Sequence, residues 1–388
     1  MSRIAGIPGA RRWLTTGLLT TGLLTMGVAA AGLLALAAPA ATAATAGAGP
    51  AKAPAPSWRI VKSVSSGQGA FTAVVATGTA SGWAFGGDFG ASAAADAPAW
   101  RLSGGTWTQD GAFPGKPGET VVAAGASSAA DVWAFTQVGT GSRVLHDNGT
   151  AWSVVKTFAA QIGGASVVSK NDVWVFGTAA FGSPALGAWH YNGHTWQFTG
   201  VGLEGGSALC PVSVWAFRGT EVYHFNGSRW APTQLKSLLP AKMLLNDPAV
   251  TGIIALSADN VYAIGNGNLE DEGGPVVVLH YDGHRWTRVA TGNYGYGTDG
   301  SFGGAQQVTS DGSGGLWLPM PGYDGQKSYI VHYAAGRLTP AALPGNPLGM
   351  RIVSISRVPY SGDQLAGGDT FKALMPGVGQ SAVILRYP

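Results

Sequence analysis

The sequence runs to 388 residues with 61 Gly, 22 Pro and 14 Trp, but only 23 basic and 20 acidic side chains. Gly and Pro at this density exclude long helices, since each interior Gly costs ~1 kcal/mol and each Pro ~3, and a hydrophobic share of 46% excludes disorder. One cysteine, Cys210, excludes an internal disulfide, which leaves many short strands joined by many turns.

In chain order the first element is an export signature. Arg3, Arg11 and Arg12 form a basic start, an apolar and acid-free run extends from Trp13 to about Ala38, and small residues end in Ala41-Thr42-Ala43. This order predicts a secretory signal over 1–43. Arg11-Arg12-Trp13-Leu14 resembles a twin-arginine signal. The run is also long enough to span a bilayer, so an uncleaved membrane anchor is the alternative. The Ala/Pro-rich segment 44–56 reads as a leader behind the cleavage site. Cleavage removes three Arg and no acid, leaving 20 basic and 20 acidic residues. A neutral chain lacks the basic footprint that a nucleic-acid partner needs. The expected product is a secreted monomer that meets the membrane only through its signal.

Past the leader the chain repeats itself. One element reads Gly82-Trp83-Ala84-Phe85-Gly86, Val132-Trp133-Ala134-Phe135, Val173-Trp174-Val175-Phe176, Val214-Trp215-Ala216-Phe217, Val261-Tyr262-Ala263-Ile264 and Leu316-Trp317-Leu318. A degenerate seventh copy is Gln364-Leu365-Ala366-Gly367-Gly368, anchored at Gln364. Alternating large and small residues give the period of a strand. A second element follows each: Leu145-His146-Asp147-Asn148-Gly149 up to Trp152, Trp189-His190-Tyr191-Asn192-Gly193 up to Trp196, Tyr223-His224-Phe225-Asn226-Gly227 up to Trp230, and Leu279-His280-Tyr281-Asp282-Gly283 up to Trp286. Asn-Gly or Asp-Gly between short β-rich runs predicts a hairpin with a type I′ turn, positive φ at both corner residues. Trp100 to Trp107 is a variant with Gly104-Gly105, and Val331 to Leu338 a decayed copy. A third apolar run, such as Val121-Val122-Ala123-Ala124, precedes each first element.

Each unit is therefore four strands, A to D, which is the content of a β-propeller blade. Ser57-Trp58-Arg59-Ile60-Val61 reads as a lone D strand, and Val383 to Tyr387 as a C strand with no D after it. The expectation is an all-β, seven-bladed propeller over 57–388, closed by the N-terminal strand in the last blade, which removes two open edges. Six or eight blades are the alternatives, because 230–250 and the seventh copy are irregular. The Asp-Val-Trp-Ala-Phe-Gly and His-Tyr-Asn-Gly-x-x-Trp pairs resemble the repeats of bacterial exported propellers, similar in layout to kelch and galactose-oxidase-like propellers. They lack the Gly-Gly pair of kelch blades and the spacing of a sialidase Asp-box.

Repeated residues read first as scaffold. His146, His190, His224, His280 and His332 share one position on strand C, about 51° apart around a seven-fold ring, so they cannot converge on one metal ion. The strand-B aromatics and Trp58, Trp107, Trp152, Trp196, Trp230 and Trp286 at strand D fit an inter-blade core. Asp131, Asp172, Asp259, Asp311 and Asp363 fall in A–B turns, where Asp bonds its own backbone. A galactose-oxidase-like copper centre lacks its converging His and Tyr set, and no P-loop, zinc-protease helix or nucleophile elbow is present. No catalytic residue, metal or cofactor is assigned.

A–B and C–D turns are short and share one rim, whereas the B–C and D–A loops share the other and carry every long insertion. Irregular loops on a rigid scaffold are where function concentrates. The candidate binding residues on that rim are Asp88, Phe89, Glu270, Asp271, Glu272, Tyr294, Tyr296, Asp299, Tyr323 and Asp324, with Glu204, Asp247 and Asp369 among the further rim acids. Aromatic rings and carboxylates suit sugars or peptides. The expected function is a secreted, non-catalytic propeller that binds a glycan, cell-wall or protein partner. The alternative is a polysaccharide hydrolase or lyase using rim carboxylates such as Glu270, Asp271 and Asp299.

Overall fold

The computed structural model describes residues 56–67, 69–88, 98–179, 184–240, 248–266, 275–294, 307–320, 328–345, 350–370 and 380–388. They belong to one compact unit, Ala55–Pro388. The expected signal and all but the last residue of the leader lie outside the described residues.

The described residues form seven four-stranded antiparallel sheets. Blade 1 consists of Gly69–Gly78, Ser81–Asp88, Ala99–Ser103 and Thr106–Gln109. Blades 2 to 6 repeat the order over 120–158, 164–200, 205–234, 249–293 and 309–341. Blade 7 takes strands A to C from Met350–Arg357, Gln364–Thr370 and Gln380–Tyr387. Its strand D is Arg59–Gly67, paired antiparallel along Gln380–Tyr387. The ring closes as the termini of the repeat pattern implied.

Alternation along strand B sets which neighbour each side chain meets. In blade 2, Val132 and Ala134 pack toward blade 1, whereas Trp133 and Phe135 pack toward blade 3. Blade 3 repeats this, with Val173 and Val175 facing back and Trp174 and Phe176 facing forward. Each gap thus receives large rings from one blade and small or branched residues from the next. The result is seven apolar clusters, one per gap. With both faces of each blade covered, strand B is buried on both sides, and each buried Val, Leu or Phe contributes ~1.5–3 kcal/mol.

The strand-D tryptophans complete these clusters edge-on. Trp152 meets Trp83 of the preceding blade at 5.2 Å and 87°, and Trp230 meets Trp174 at 6.1 Å and 88°. Trp58, just before the closing strand, meets Trp317 at 5.7 Å and 87°. The N-terminal segment therefore closes the ring with the same ring contact used elsewhere.

Three details differ from the sequence reading. Leu365, not Gln364, holds the aromatic position of blade 7, because it pairs with Arg386 as Trp133 pairs with His146. The Asn-Gly corners are not type I′. Gly149, Gly193, Gly227 and Gly283 have φ between 88° and 93°, but positive φ outside glycine occurs among the described residues only at Ala335 and Tyr360. Asn148 instead turns its own Oδ1 inward to accept the N–H groups of Thr150 and Ala151 at 3.0 and 3.1 Å, and Asn192, Asn226 and Asp282 do likewise. The side-chain oxygen supplies the acceptor that the tighter turn would take from backbone. The doubly positive corner occurs at Gly104-Gly105, with φ of 56° and 83°, and at Ala335-Gly336 in blade 6, with φ of 48° and 76°.

The third difference concerns the A–B-turn acids. Asp131 Oδ1 accepts His146 Nε2 at 2.7 Å, Asp172 Oδ1 accepts His190 Nε2 at 2.9 Å, and Asp311 Oδ2 accepts His332 Nε2 at 2.8 Å. In blade 7, Asp363 pairs with Arg386. In blade 5, Asn260 takes His280 at 2.9 Å, leaving Asp259 with Ser257. A carboxylate tied to strand C is thus the main role, with backbone bonds added at Asp311, which accepts Ser313 and Gly315 N–H. Each histidine also stacks on the strand-B ring of its own blade, at centroid distances of 4.1 to 4.5 Å.

Candidate functional site

Strand order puts the paired turns A–B and C–D at one end of every blade and the B–C and D–A connections at the other. Phe89, Glu270, Asp271, Glu272, Tyr296, Asp299, Tyr323 and Asp324 belong to those connections and lie outside the described residues, as does Asp247. Asp88 ends strand B of blade 1, and its side chain is likewise outside them.

Tyr294 is described. Its ring is half-buried and meets Tyr329 edge-on at 5.7 Å, and its hydroxyl donates to the Leu338 carbonyl at 3.0 Å. That places Tyr294 in the gap between blades 5 and 6 as a packing residue of the rim. Asp369 is 1% exposed and pairs with Arg351 through both oxygens at 3.0 and 3.2 Å. A second buried ion pair joins Glu119 to Arg143 at 2.8 Å at the same end of blade 2. Both pairs fasten the base of the rim.

Blade 4 brings further polar groups to this end. Gly219 N–H donates to Glu204 Oε1 at 3.1 Å. Burial pushes the Glu204 carboxyl up, against the lowering effects of that N–H and of Arg218. Arg218 Nη2 donates to the Tyr223 hydroxyl at 3.0 Å, and that hydroxyl donates to Glu221 Oε2 at 2.5 Å. Burial, followed by Glu221, pushes the Tyr223 hydroxyl up. Glu204 thus keeps its proton to higher pH than an exposed carboxyl, while Glu221 accepts hydrogen bonds from Tyr223 and Gln234.

Sequence reading missed an aromatic cluster between blades 2 and 3. Phe158 ends strand D of blade 2, and Trp189 and Phe198 face one another on strands C and D of blade 3. Ring centroids are 5.4 Å apart for both Phe158–Trp189 and Trp189–Phe198. Phe198 is 60% exposed. Lys156 Nζ sits 5.2 Å from the Phe158 ring and 5.3 Å from the Trp189 ring, a cation–π arrangement. Gly187, at φ 81°, leaves no room for a Cβ beside Phe198. The signal was Trp189 itself, which stands where three other copies carry Leu145, Tyr223 and Leu279.

The A strands of all seven blades line a central cavity of about 270 Å³. Ser166, Ser207, Gln307, Thr309 and Ser356 supply its polar groups, and no ionisable side chain lines it. Several of these groups are engaged across blade gaps: Ser166 Oγ accepts Ala208 N–H and Ser207 Oγ accepts Ala255 N–H, both at 3.0 Å. Among the described residues no three His, Cys, Asp or Glu side chains gather as a metal-ligand group.

No family model matches the chain, and no curated protein matches it. Solved structures do resemble it. YCF48 bound to a D1 peptide superposes with a TM-score of 0.52 at 11% identity, covering 85% of this chain and 96% of that one. YCF48 from Cyanidioschyzon merolae gives 0.54 at 12%, covering 85% and 98%. The WD40 repeats of RRP9 give 0.53 at 11%, covering 86% and 99%. At such identities the likeness is one of architecture, and by that architecture the chain is a seven-bladed β-propeller.

Proposed function

We propose that the chain is an exported, monomeric, non-catalytic binding module that takes a protein partner on its long-loop rim. The observation that carries this reading is the cluster Phe158, Trp189 and Phe198 with Lys156, an aromatic patch on an otherwise rigid frame. Exposed aromatics seated in packed surroundings are the usual anchors of protein recognition. Two further observations support it: the N-terminal export signature, and the propeller neighbour YCF48, which is bound to a D1 peptide. A glycan is the second reading, favoured by the exposed face of Phe198, on which a sugar C–H face stacks. Hydrolysis by rim carboxylates is the third, and Glu204 supports it as a carboxyl raised by burial.

The test uses the chain from Ala44 onward on an extracellular-peptide array and a glycan array, side by side with Phe198→Ala. Removing a 60% exposed ring leaves the fold intact, so thermal unfolding stays unchanged while affinity for authentic hits falls about tenfold. Peptide hits weakened by Phe198→Ala support the first reading and glycan hits the second. Hits on either array that ignore the substitution overturn this choice of surface.

A further inference from the structure

Blade 4 keeps the ring stack of its neighbours but not their carboxylate. In blades 2 and 3 one oxygen, Asp131 Oδ1 or Asp172 Oδ1, accepts both the Trp Nε1–H at 3.0 Å and the His Nε2–H at 2.7 or 2.9 Å. In blade 4, Trp215 stacks on His224 at 4.3 Å and 17°, against 4.3 Å and 16° for Trp174 on His190. Ser213 stands where those blades have Asp131 and Asp172. Trp215 Nε1, His224 Nε2 and Ser213 Oγ are all buried and make no hydrogen bond, and Trp215 is 4% exposed. Buried polar groups left unpaired forfeit their hydration with nothing in return, so three together call for a partner.

We propose that Ser213, Trp215 and His224 form a binding site for a monovalent anion of halide size. In the sister blades both ring N–H groups meet on a single oxygen atom, so the ligand offers one acceptor centre rather than a branched oxyanion. Ser213 lacks the carboxyl group that Asp131 and Asp172 set against these rings, and its hydroxyl adds a third donor. The other side of Trp215 is covered by Tyr281 at 5.0 Å and Trp286 at 5.9 Å, so an occupant sits in low-polarity surroundings where one negative charge suffices. His224 supplies the compensating charge when protonated. The groups set around it are Trp215, Ala231 on strand D and Ser213, with Tyr281 and Trp286 beyond the indole. The ionisable ones are Tyr281, whose hydroxyl donates to the Gly283 carbonyl, and Cys210, a free thiol on strand A paired opposite Ser213. Burial pushes the His224 imidazole down, so anion binding strengthens as pH falls and in turn favours the protonated ring.

The test compares thermal unfolding of the chain from Ala44 onward in sodium chloride and in sodium gluconate at equal ionic strength, at pH 5.5 and 8. Chloride raises the wild-type Tm by about 2 °C at the lower pH and by less at the higher. Ser213→Asp, which supplies its own carboxylate, unfolds at a higher temperature in gluconate and loses the chloride response. Equal chloride responses in the two proteins overturn the site. Crystals of the wild type grown in sodium bromide decide the matter independently of whether Ser213→Asp folds. An anomalous peak between Trp215 Nε1 and His224 Nε2 establishes the anion, and its absence, with water alone in that position, overturns it.

Discussion

Asp131 Oδ1 accepts the Nε2–H of His146 at 2.7 Å while the same oxygen takes Trp133 Nε1–H at 3.0 Å. A turn between strands A and B is thereby tied across strand B to strand C. The carboxylate only accepts, so His146 carries its proton on Nε2. Asp131→Ala leaves two N–H groups without an acceptor, and at ~1–3 kcal/mol each the expected loss is about 2–6 kcal/mol. Asp259, in the equivalent turn of blade 5, is exposed and bonded to Ser257 rather than to a histidine. Asp259→Ala therefore leaves the urea midpoint unmoved. Equal midpoints for the two variants would show that the tie contributes nothing.

Acid unfolding separates these carboxylates from His224. Burial pulls the Asp131 carboxyl up, but hydrogen bonds from His146, Ser127 and Trp133 outweigh it and hold the group below its ordinary value. Asp311 is held low in the same sense, burial being outweighed by Ser313 N–H, His332 and Gly315 N–H. A carboxyl depressed in the folded state contributes stability above its unfolded value, about 3.9, and loses it as pH falls through the folded value. His224 is depressed by burial from 6.5, so its contribution is complete above that pH and declines below it. Urea midpoints measured in gluconate are expected to fall in two steps, one beginning below pH 6.5 and one below pH 4. His224→Gln removes the first step, and Asp131→Asn with Asp311→Asn shrinks the second. A single step unaffected by His224→Gln would contradict this assignment.

The fold was legible because its signals are local and repeated. Trp133, Trp174 and Trp215 recur in one context, and each alternates with a smaller residue that fixes which neighbour it faces. The partnership between Asp131 and His146 was not legible, although both positions stood out as repeats. Fifteen residues separate them, and only strand pairing shows that turn and strand C meet. The aromatic cluster escaped for a related reason. Phe158 belongs to one blade and Trp189 to the next, so their contact depends on ring geometry rather than on either repeat. Of the ten candidate binding residues Tyr294 alone has a described side chain, and its hydroxyl is committed to Leu338, which no local pattern around Tyr294 encodes.

Closure of the ring gives a direct measurement. Trp58 is 3% exposed and packs against both Trp317 and Tyr387, at 5.7 and 5.5 Å. Strand Arg59–Gly67 covers the outer edge of blade 7 by pairing from Arg59 with Arg386 to Gly67 with Gln380. Trp58→Ala removes a buried ring, at a cost of ~3–5 kcal/mol. Deleting 57–64 also removes the strand from Arg59 to Val64 and exposes most of the edge of Gln380–Tyr387. Thermal unfolding of both variants is expected to order them wild type, Trp58→Ala, deletion. A deletion variant as stable as the wild type would show that the ring does not depend on this strand.

The buried pair Glu119–Arg143 allows the cost of charge at the rim to be separated from the value of shape. Glu119 is 1% and Arg143 5% exposed. Thr136 Oγ1 donates to Glu119 Oε1 at 2.5 Å, Lys116 N–H donates to Oε2 at 2.9 Å, and Arg143 Nη2 donates to the Pro114 carbonyl at 3.1 Å. The pair therefore holds the connection from blade 1 to blade 2 through both members. Removing one partner strands the other charge out of water, which costs about 3–5 kcal/mol. Arg143→Met is expected to lose that much, with the loss concentrated in the 110–119 connection as faster amide exchange. Glu119→Leu combined with Arg143→Met removes both charges and is expected to recover most of the stability, because apolar replacement of a whole buried pair is often neutral. Residual loss in the double variant then measures the hydrogen bonds to Lys116, Thr136 and Pro114. A double variant no more stable than Arg143→Met would mean that those bonds, rather than the stranded carboxylate, dominate the single-variant loss.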